Sequence, residues 1–436
     1  MARLNIAKKI HTHEGARACQ VNHELQLRRS VMSCMLWENE FYEDGTSIAD
    51  RIVRLIPLVK PQVVAQMAID ARSKMKLRHV PLLIVREMAR LPEHKAFVAH
   101  TLASVIQRPD EMTEFLAIYW QDGKEKLSAQ VKKGIARAFV KFNEYSLAKY
   151  NRNGSIKLRD VLFLCHAKPI NEEQAALFKK LINNELQTPD TWETNLSAGK
   201  DKKETWIRLI NEQKLGALAL LRNLRNMIEA GLPTAIISKV LSEMKTDRVL
   251  PFRFIAAAKH AVSIEQYIEP AMLKCIENQT KLTGKTVLLV DVSGSMDDKI
   301  SSKSDLDRID AACGLAILLR EICEEITILT FSNAIAQVPS RRGFALRDAI
   351  IRSQIHAGTH MGGAVHFANN NTKYDRLIVI TDEQSNDSVP APTGKGYVIN
   401  VASAKNGIGY GHWMHIDGWS EAVIDYIKAF EPLEMF

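Results

Sequence analysis

The chain has 436 residues, 46% of them hydrophobic and 25% charged, a globular composition in a chain too long for one ordinary core. No run of roughly 18 or more apolar residues occurs, which excludes a spanning helix, and the opening MARLNIAKKIHTHEG lacks the apolar stretch of a secretory signal. The net charge of +8 divides unevenly: residues 1–275 hold 43 Lys and Arg against 30 Asp and Glu, whereas residues 276–436 hold 15 against 20. A cationic first part suits a polyanion, and an anionic second part suits a cation. Six scattered cysteines with no C-x-x-C pair read as thiols of a reducing cytosol, so a cytoplasmic location is expected.

In chain order, residues 1–275 read as helical almost throughout. Segments 61–73, 81–90, 94–107, 111–121 and 127–149 each place apolar residues at helical spacing. Pro61, Pro81, Pro92, Pro109 and Pro169 stand at or just before segment starts, where a missing N–H costs nothing. Short helices in succession predict an α-solenoid of stacked pairs.

The pattern changes near residue 284. Short apolar runs rich in β-branched residues occupy 286–290 (TVLLV), 326–331 (ITILTF), 376–381 (RLIVIT) and 396–401 (GYVINV), with helix-like stretches at 305–323 and 344–355 between them. Such alternation predicts a parallel, doubly wound α/β domain over 276–436.

Ligands of such sheets bind beyond the carboxyl ends of the strands. There the sequence places Asp291, Ser293 and Ser295 in D-V-S-G-S, then Thr359 in a later loop, then Asp382 after RLIVIT. Alternate positions let Asp291, Ser293 and Ser295 point into one concavity, with Gly294 allowing the tight turn. An oxygen-only set with few charges suits a hard octahedral cation, Mg²⁺ by default. Asp291 and Ser293 alone would read as helix caps; the return of Thr and Asp at two further strand ends favours the metal.

The cationic part has three features. Lys133, Arg137 and Lys141 recur every fourth residue of the 127–149 segment, along one face. Residues 72–90 hold Arg72, Lys74, Lys76, Arg78, Arg86 and Arg90 against Glu87. A helix over 159–169 ends with His166 and Lys168. Each also has a plain account, as a solvated face or as cations satisfying a helix end.

Two families resemble this chain. D-x-S-G-S at 291–295 with Thr359 and Asp382 is similar to the metal-ion-dependent adhesion site of von Willebrand factor A domains, although His360 stands where relatives often carry Asp. The stretch 133–169, above all L-R-D-V-L-F-L-C-H-A-K-P, and LALLRNLRNM at 218–227 resemble the TROVE domain of Ro ribonucleoproteins, whose bacterial-type members join that module to an A domain. The resemblance implies a HEAT-like helical repeat ring over 1–275 and an A-type domain over 276–436, with metal held by Asp291, Ser293, Ser295, Thr359 and Asp382. It implies a non-enzymatic RNA-binding protein. Single-stranded 3′ ends of misfolded RNA would enter the ring, structured Y-type small RNA would bind outside, and an exoribonuclease or other protein would act alongside in RNA quality control. Arg137, Lys141, His166 and Lys168 carry over from the family's basic stretch; Lys133, Arg78, Arg86, Arg90 and Arg222 join them on charge and spacing alone. Two further readings stand beside this one: a metal-dependent protein-interaction scaffold, and a nuclease, which needs more converging carboxylates than are found.

Overall fold

The computed structural model describes residues 10–11, 17–18, 22–32, 45–246, 249, 251–277, 279–300, 306–402, 412–417, 423–424 and 427–428. The chain forms two compact units. One comprises Asn22–Val31 with Thr46–Asp190, and the other Met1–Val21, Met32–Gly45 and Thr191–Phe436.

The first unit is helical: α1 (His23–Met32), α2 (Gly45–Leu55), α3 (Pro61–Ser73), α4 (His79–Arg90), α5 (Lys95–Val105), α6 (Asp110–Tyr119), α7 (Ala129–Phe139), α8 (Glu144–Tyr150), α9 (Leu158–Cys165) and α10 (Glu172–Asn183). Local chemistry sets the boundaries. Pro61 starts α3, while Ser128, Asn143 and Asn171 cap α7, α8 and α10 by accepting backbone N–H bonds from Val131, Ser146 and Gln174. Helices pack on neighbours one or two removed, α3 on α4 and α5, α4 on α6, α5 on α7, α7 on α9. Gly134 permits the α5–α7 approach, since a Cβ there would lie 2.9 Å from Leu102 Cβ. α4 is buried from Val80 to Ala89, Arg86 and Glu87 included. The segment 127–149 is therefore not one helix: Lys141 and Phe142 donate i→i−3 bonds to Ala138 and Phe139, and the Asn143 cap restarts the chain as α8. Lys141 thus lies beyond the helix that carries Lys133 and Arg137.

The second unit begins with a two-residue antiparallel pair, β1 (Ile10–His11) and β2 (Arg17–Ala18). Helices α11 (Trp192–Ser197), α12 (Lys202–Asn211), α13 (Ala217–Glu229), α14 (Thr234–Glu243), α15 (Pro251–His260) and α16 (Glu265–Ile276) follow. Next come β3 (Leu282–Asp291), α17 (Arg308–Ile322), β4 (Cys323–Phe331), β5 (Ile335–Gln337), α18 (Gly343–Ile351), α19 (Met361–Asn371), β6 (Arg376–Thr381), β7 (Lys395–Asn400) and β8 (Trp413–Asp417). The sheet runs β5-β4-β3-β6-β7-β8, parallel except for β5. β6 is buried at every position, and since successive side chains point to opposite faces, both faces are covered. The four apolar runs all form strands. β5 and α19 were not expected from the sequence, β5 because three residues carry no period.

The compact units divide at Asp190/Thr191, whereas the sequence-based boundary lay at 275/276. The reason is α17, buried from Arg308 to Leu319 and again at Ile322, so it needs cover on its outer side. α15 supplies it: Ile255 and Phe252 meet Gly314, and Lys259 bonds Asp307 and Asp310 at 2.7 and 2.9 Å. Glu269 likewise accepts the Phe344 N–H at 2.6 Å. Cys165 and Cys313 are buried thiols whose burial pushes them up, Cys165 to about 11, as expected of core filler; Cys19 and Cys34 lie outside the described residues.

Inside the helical unit, Glu111 is fully buried. It accepts Arg72 Nη2 at 2.6 Å and the backbone N–H groups of Gln107 and Arg108 at 2.7 and 3.0 Å. Arg72→Met removes the nearer of that carboxylate's two cations, leaving Arg78 Nε at 3.8 Å, and is expected to lower the stability of the unit by about 3 kcal/mol. An unfolding free energy from urea titration lowered by less than a third of that amount would contradict the pairing.

Candidate functional site

The parallel register sets Val290 of β3 beside Ile380 of β6, so Asp291 and Thr381 end adjacent strands. Thr381 Oγ1 donates to Asp291 Oδ2 at 2.6 Å, and the Ser293 N–H donates to Asp291 Oδ1 at 2.8 Å. The chain then turns through a 3-10 segment at Gly294–Asp297, leaving Ser293 Oγ and Ser295 Oγ 3.3 Å apart. Backbone bonds stitch the other loops to this turn. Gly294 N–H donates to Ala357 O at 2.8 Å, and Asn386 N–H to Thr359 O at 2.9 Å. Asp291 and Asp382 are fully buried, Ser293 and Thr359 nearly so. Burial, reinforced by the charge of Asp382, holds the Asp291 carboxyl well above the usual carboxylate range. Carboxylates and hydroxyls, the groups that Asp291, Asp382, Ser293, Ser295 and Thr359 carry, are donors of the kind a hard cation takes.

Three residues of this site escaped the sequence reading. Arg308 opens α17, and its guanidinium turns inward, donating to Asp382 Oδ2 at 3.2 Å and to Ser295 O at 3.0 Å. Its signal was a cation in the first turn of a helix, where the macrodipole disfavours it. Thr381 was read only as the end of a strand. Glu383 adopts φ +65°, left-handed and unusual for a residue with a Cβ. Its buried carboxylate lies 2.6 Å from His415 Nε2 and accepts Asn400 Nδ2 at 2.6 Å. His415 is thus a buried residue of the edge strand β8. His360 is exposed at the N-cap of α19, and the first turn of that helix is held by Asp387, which accepts Gly362 and Gly363 N–H at 2.7 and 2.8 Å.

The basic residues separate into two classes. Arg78 pairs with Asp110 at 2.7 Å and with Glu114; Arg86, 6% exposed, pairs with Glu87 at 3.1 Å and with Asp122; Arg90 reaches Asp122 at 2.9 Å. Lys141 is on the surface, but its ammonium folds back to the carbonyls of Ala103 and, at 3.0 Å, Ile106, and desolvation holds it below the usual lysine value. These four cations are held by their own fold. Lys133, Arg137, His166 and Lys168 are exposed and make no ion pair among the described residues, and so is Arg222 on α13 of the other unit. His166 caps α9 with φ +53°, which turns the following residues outward. Close by in the chain, Phe163 is 58% exposed and Ile170 72% exposed, neither of which the sequence singled out.

The TROVE domain family model matches residues 25–187 and 184–290. Telomerase protein component 1 of Rattus norvegicus is 23% identical over 301 residues, 48% of this chain and 11% of that protein; its Mus musculus counterpart is 22% identical over 289 residues, 46% of this chain and 11% of that protein. The chain thus spans about a tenth of these relatives' length. Among solved structures, the Ro (RSR) protein of Deinococcus radiodurans matches with TM-score 0.67 at 17% identity, covering 94% of this chain and 99% of that one. A helical part followed by an α/β sheet is the fold of that Ro protein.

Because Asp291 binds its proton more tightly in the folded state than unfolded, its contribution to stability is complete below the usual carboxylate pKa and is lost as the pH rises through the raised one. In EDTA, the melting temperature of the full chain is therefore expected to fall as the pH climbs from the carboxylate range toward neutrality, and Asp291→Asn should flatten that fall. An equally steep profile in the variant would contradict the assignment.

Proposed function

The chain belongs to the TROVE-domain family, and from that premise we propose that it is an RNA-binding protein of the Ro type, without catalytic activity of its own. The observation that carries this reading is the exposed set Lys133, Arg137, His166 and Lys168, which make no ion pair among the described residues, with Phe163 exposed on the helix that His166 caps, all within the stretch that the family match covers. Phosphates of single-stranded RNA would meet the cations, releasing counterions and making affinity strongly salt-dependent. Bases would stack on Phe163 and on the His166 ring, contacts open to unpaired bases and closed to a duplex. The ligands proposed are free 3′ ends of misfolded or aberrant RNA, with structured Y-type small RNA at a second surface, in RNA quality control or decay in the cytoplasm. Among the described residues no helix is long and apolar enough to cross a membrane.

The α/β part is proposed as a von Willebrand factor A-type domain whose adhesion-site residues Asp291, Ser293, Ser295, Thr359 and Asp382 hold Mg²⁺. The bound ion would supply a Lewis-acidic position for an acidic group of a partner, an exoribonuclease or other protein. The same buried donor set favours the second reading, a metal-dependent interaction scaffold, because hydroxyl-rich coordination binds ligands better than it hydrolyses them.

The test is titration of the purified chain with a labelled single-stranded RNA. Lys133→Ala with Arg137→Ala is expected to weaken binding and reduce the slope of log affinity against log salt by about two. Phe163→Ala is expected to cost about 1–3 kcal/mol. Arg78→Ala and Arg86→Ala should lower stability with little change in that slope. Unchanged affinity and slope in the Lys133/Arg137 variant would reject RNA binding at this face and leave the scaffold.

A further inference from the structure

Arg308 is 4% exposed and sits at the first position of α17. A guanidinium is a fixed charge that no accessible pH removes, so its burial demands an anion. The positive end of its own helix works against it. The neighbouring acids of α17, Asp307 and Asp310, are engaged by Lys259. Arg308 instead reaches Asp382 at 3.2 Å and the Ser295 carbonyl at 3.0 Å, with Asp298 at the rim 3.6 Å away and 56% exposed. Its own backbone N–H is tied to Asp298 O at 2.9 Å, which anchors the start of the helix against the turn that carries Ser293 and Ser295.

We infer that Arg308 is a resident counter-cation of the Asp291–Asp382 pair, which lets the domain fold without metal and weakens the binding of any divalent ion that enters. The inference rests on the reading of these residues as a cation site. The charge arithmetic carries it. With both carboxylates ionised, as they must be to hold a metal, the pair bears two negative charges, and Arg308 neutralises one of them. A divalent ion entering with Arg308 in place leaves an excess positive charge where water is scarce and screening is poor. Without Arg308 the ion and the carboxylates balance. Removing the guanidinium therefore has opposite effects on two measurable quantities: stability in chelator falls, and affinity for the ion rises. A residue that served only to pack α17 would lower the first and leave the second unchanged or reduced.

The experiment compares full-length wild type, Arg308→Gln and Arg308→Lys by thermal melting in EDTA and by calorimetric titration with Mg²⁺. Arg308→Gln is expected to melt lower in EDTA and to bind Mg²⁺ about tenfold tighter or more, while Arg308→Lys, which keeps the charge, stays within about threefold of wild type. An Arg308→Gln chain that folds only in millimolar Mg²⁺ would be the same result in stronger form; one unfolded at every Mg²⁺ concentration would overturn the inference. If wild type binds Mg²⁺ and Arg308→Gln binds it no more tightly, or if Arg308→Lys departs as far as Arg308→Gln, the inference fails while the cation site stands. If no form binds Mg²⁺, the cation site itself fails and the competition with it.

Discussion

Two acids brought side by side at the ends of adjacent parallel strands are the constraint around which the α/β part is organised. The β3–β6 register makes them neighbours, and full burial of both makes their mutual repulsion costly. Every nearby group answers that cost. Thr381 and the Ser293 amide donate to Asp291, and Arg308 turns inward against its helix dipole to reach Asp382. The turn at Gly294 is pinned to the loop before Thr359 through Ala357.

The second buried cluster, Glu383 with His415 and Asn400, lies one residue beyond Asp382 and joins β6, β7 and β8 at their carboxyl ends. The left-handed backbone at Glu383 turns its side chain away from the neighbouring carboxylate and toward β7 and β8. A third charge is thus kept out of the pocket while its own partners satisfy it.

The helical unit handles charge differently. Much of its cationic excess is internal: Arg72, Arg78, Arg86, Arg90 and Arg108 pair with carboxylates on α4, on α6 and in the loop that follows α6. Exposed cations that make no ion pair among the described residues, those of α7 and the end of α9 included, remain for a polyanion. Net charge counted along the chain therefore overstates the surface available to a ligand, since a guanidinium held by two carboxylates offers little to a phosphate.

The residues alone determined those features that depend on neighbours in the chain. Helices with proline, serine or asparagine at their starts and four continuous apolar strands were legible because caps and periods are local, and so was the position of Asp291 and Asp382 at strand ends. Tertiary structure decided which charges face solvent. Arg78 and Arg137 look alike in sequence, yet one is locked to Asp110, because α6 lies against α4, and the other is exposed and makes no ion pair among the described residues. It also decided that α17 would be sealed by α15, which moved the division between units from 275 to 190, and that Arg308 would enter the acid pair. These outcomes depend on groups tens of residues apart meeting in space, and electrostatic pairing at a distance leaves no period in the sequence.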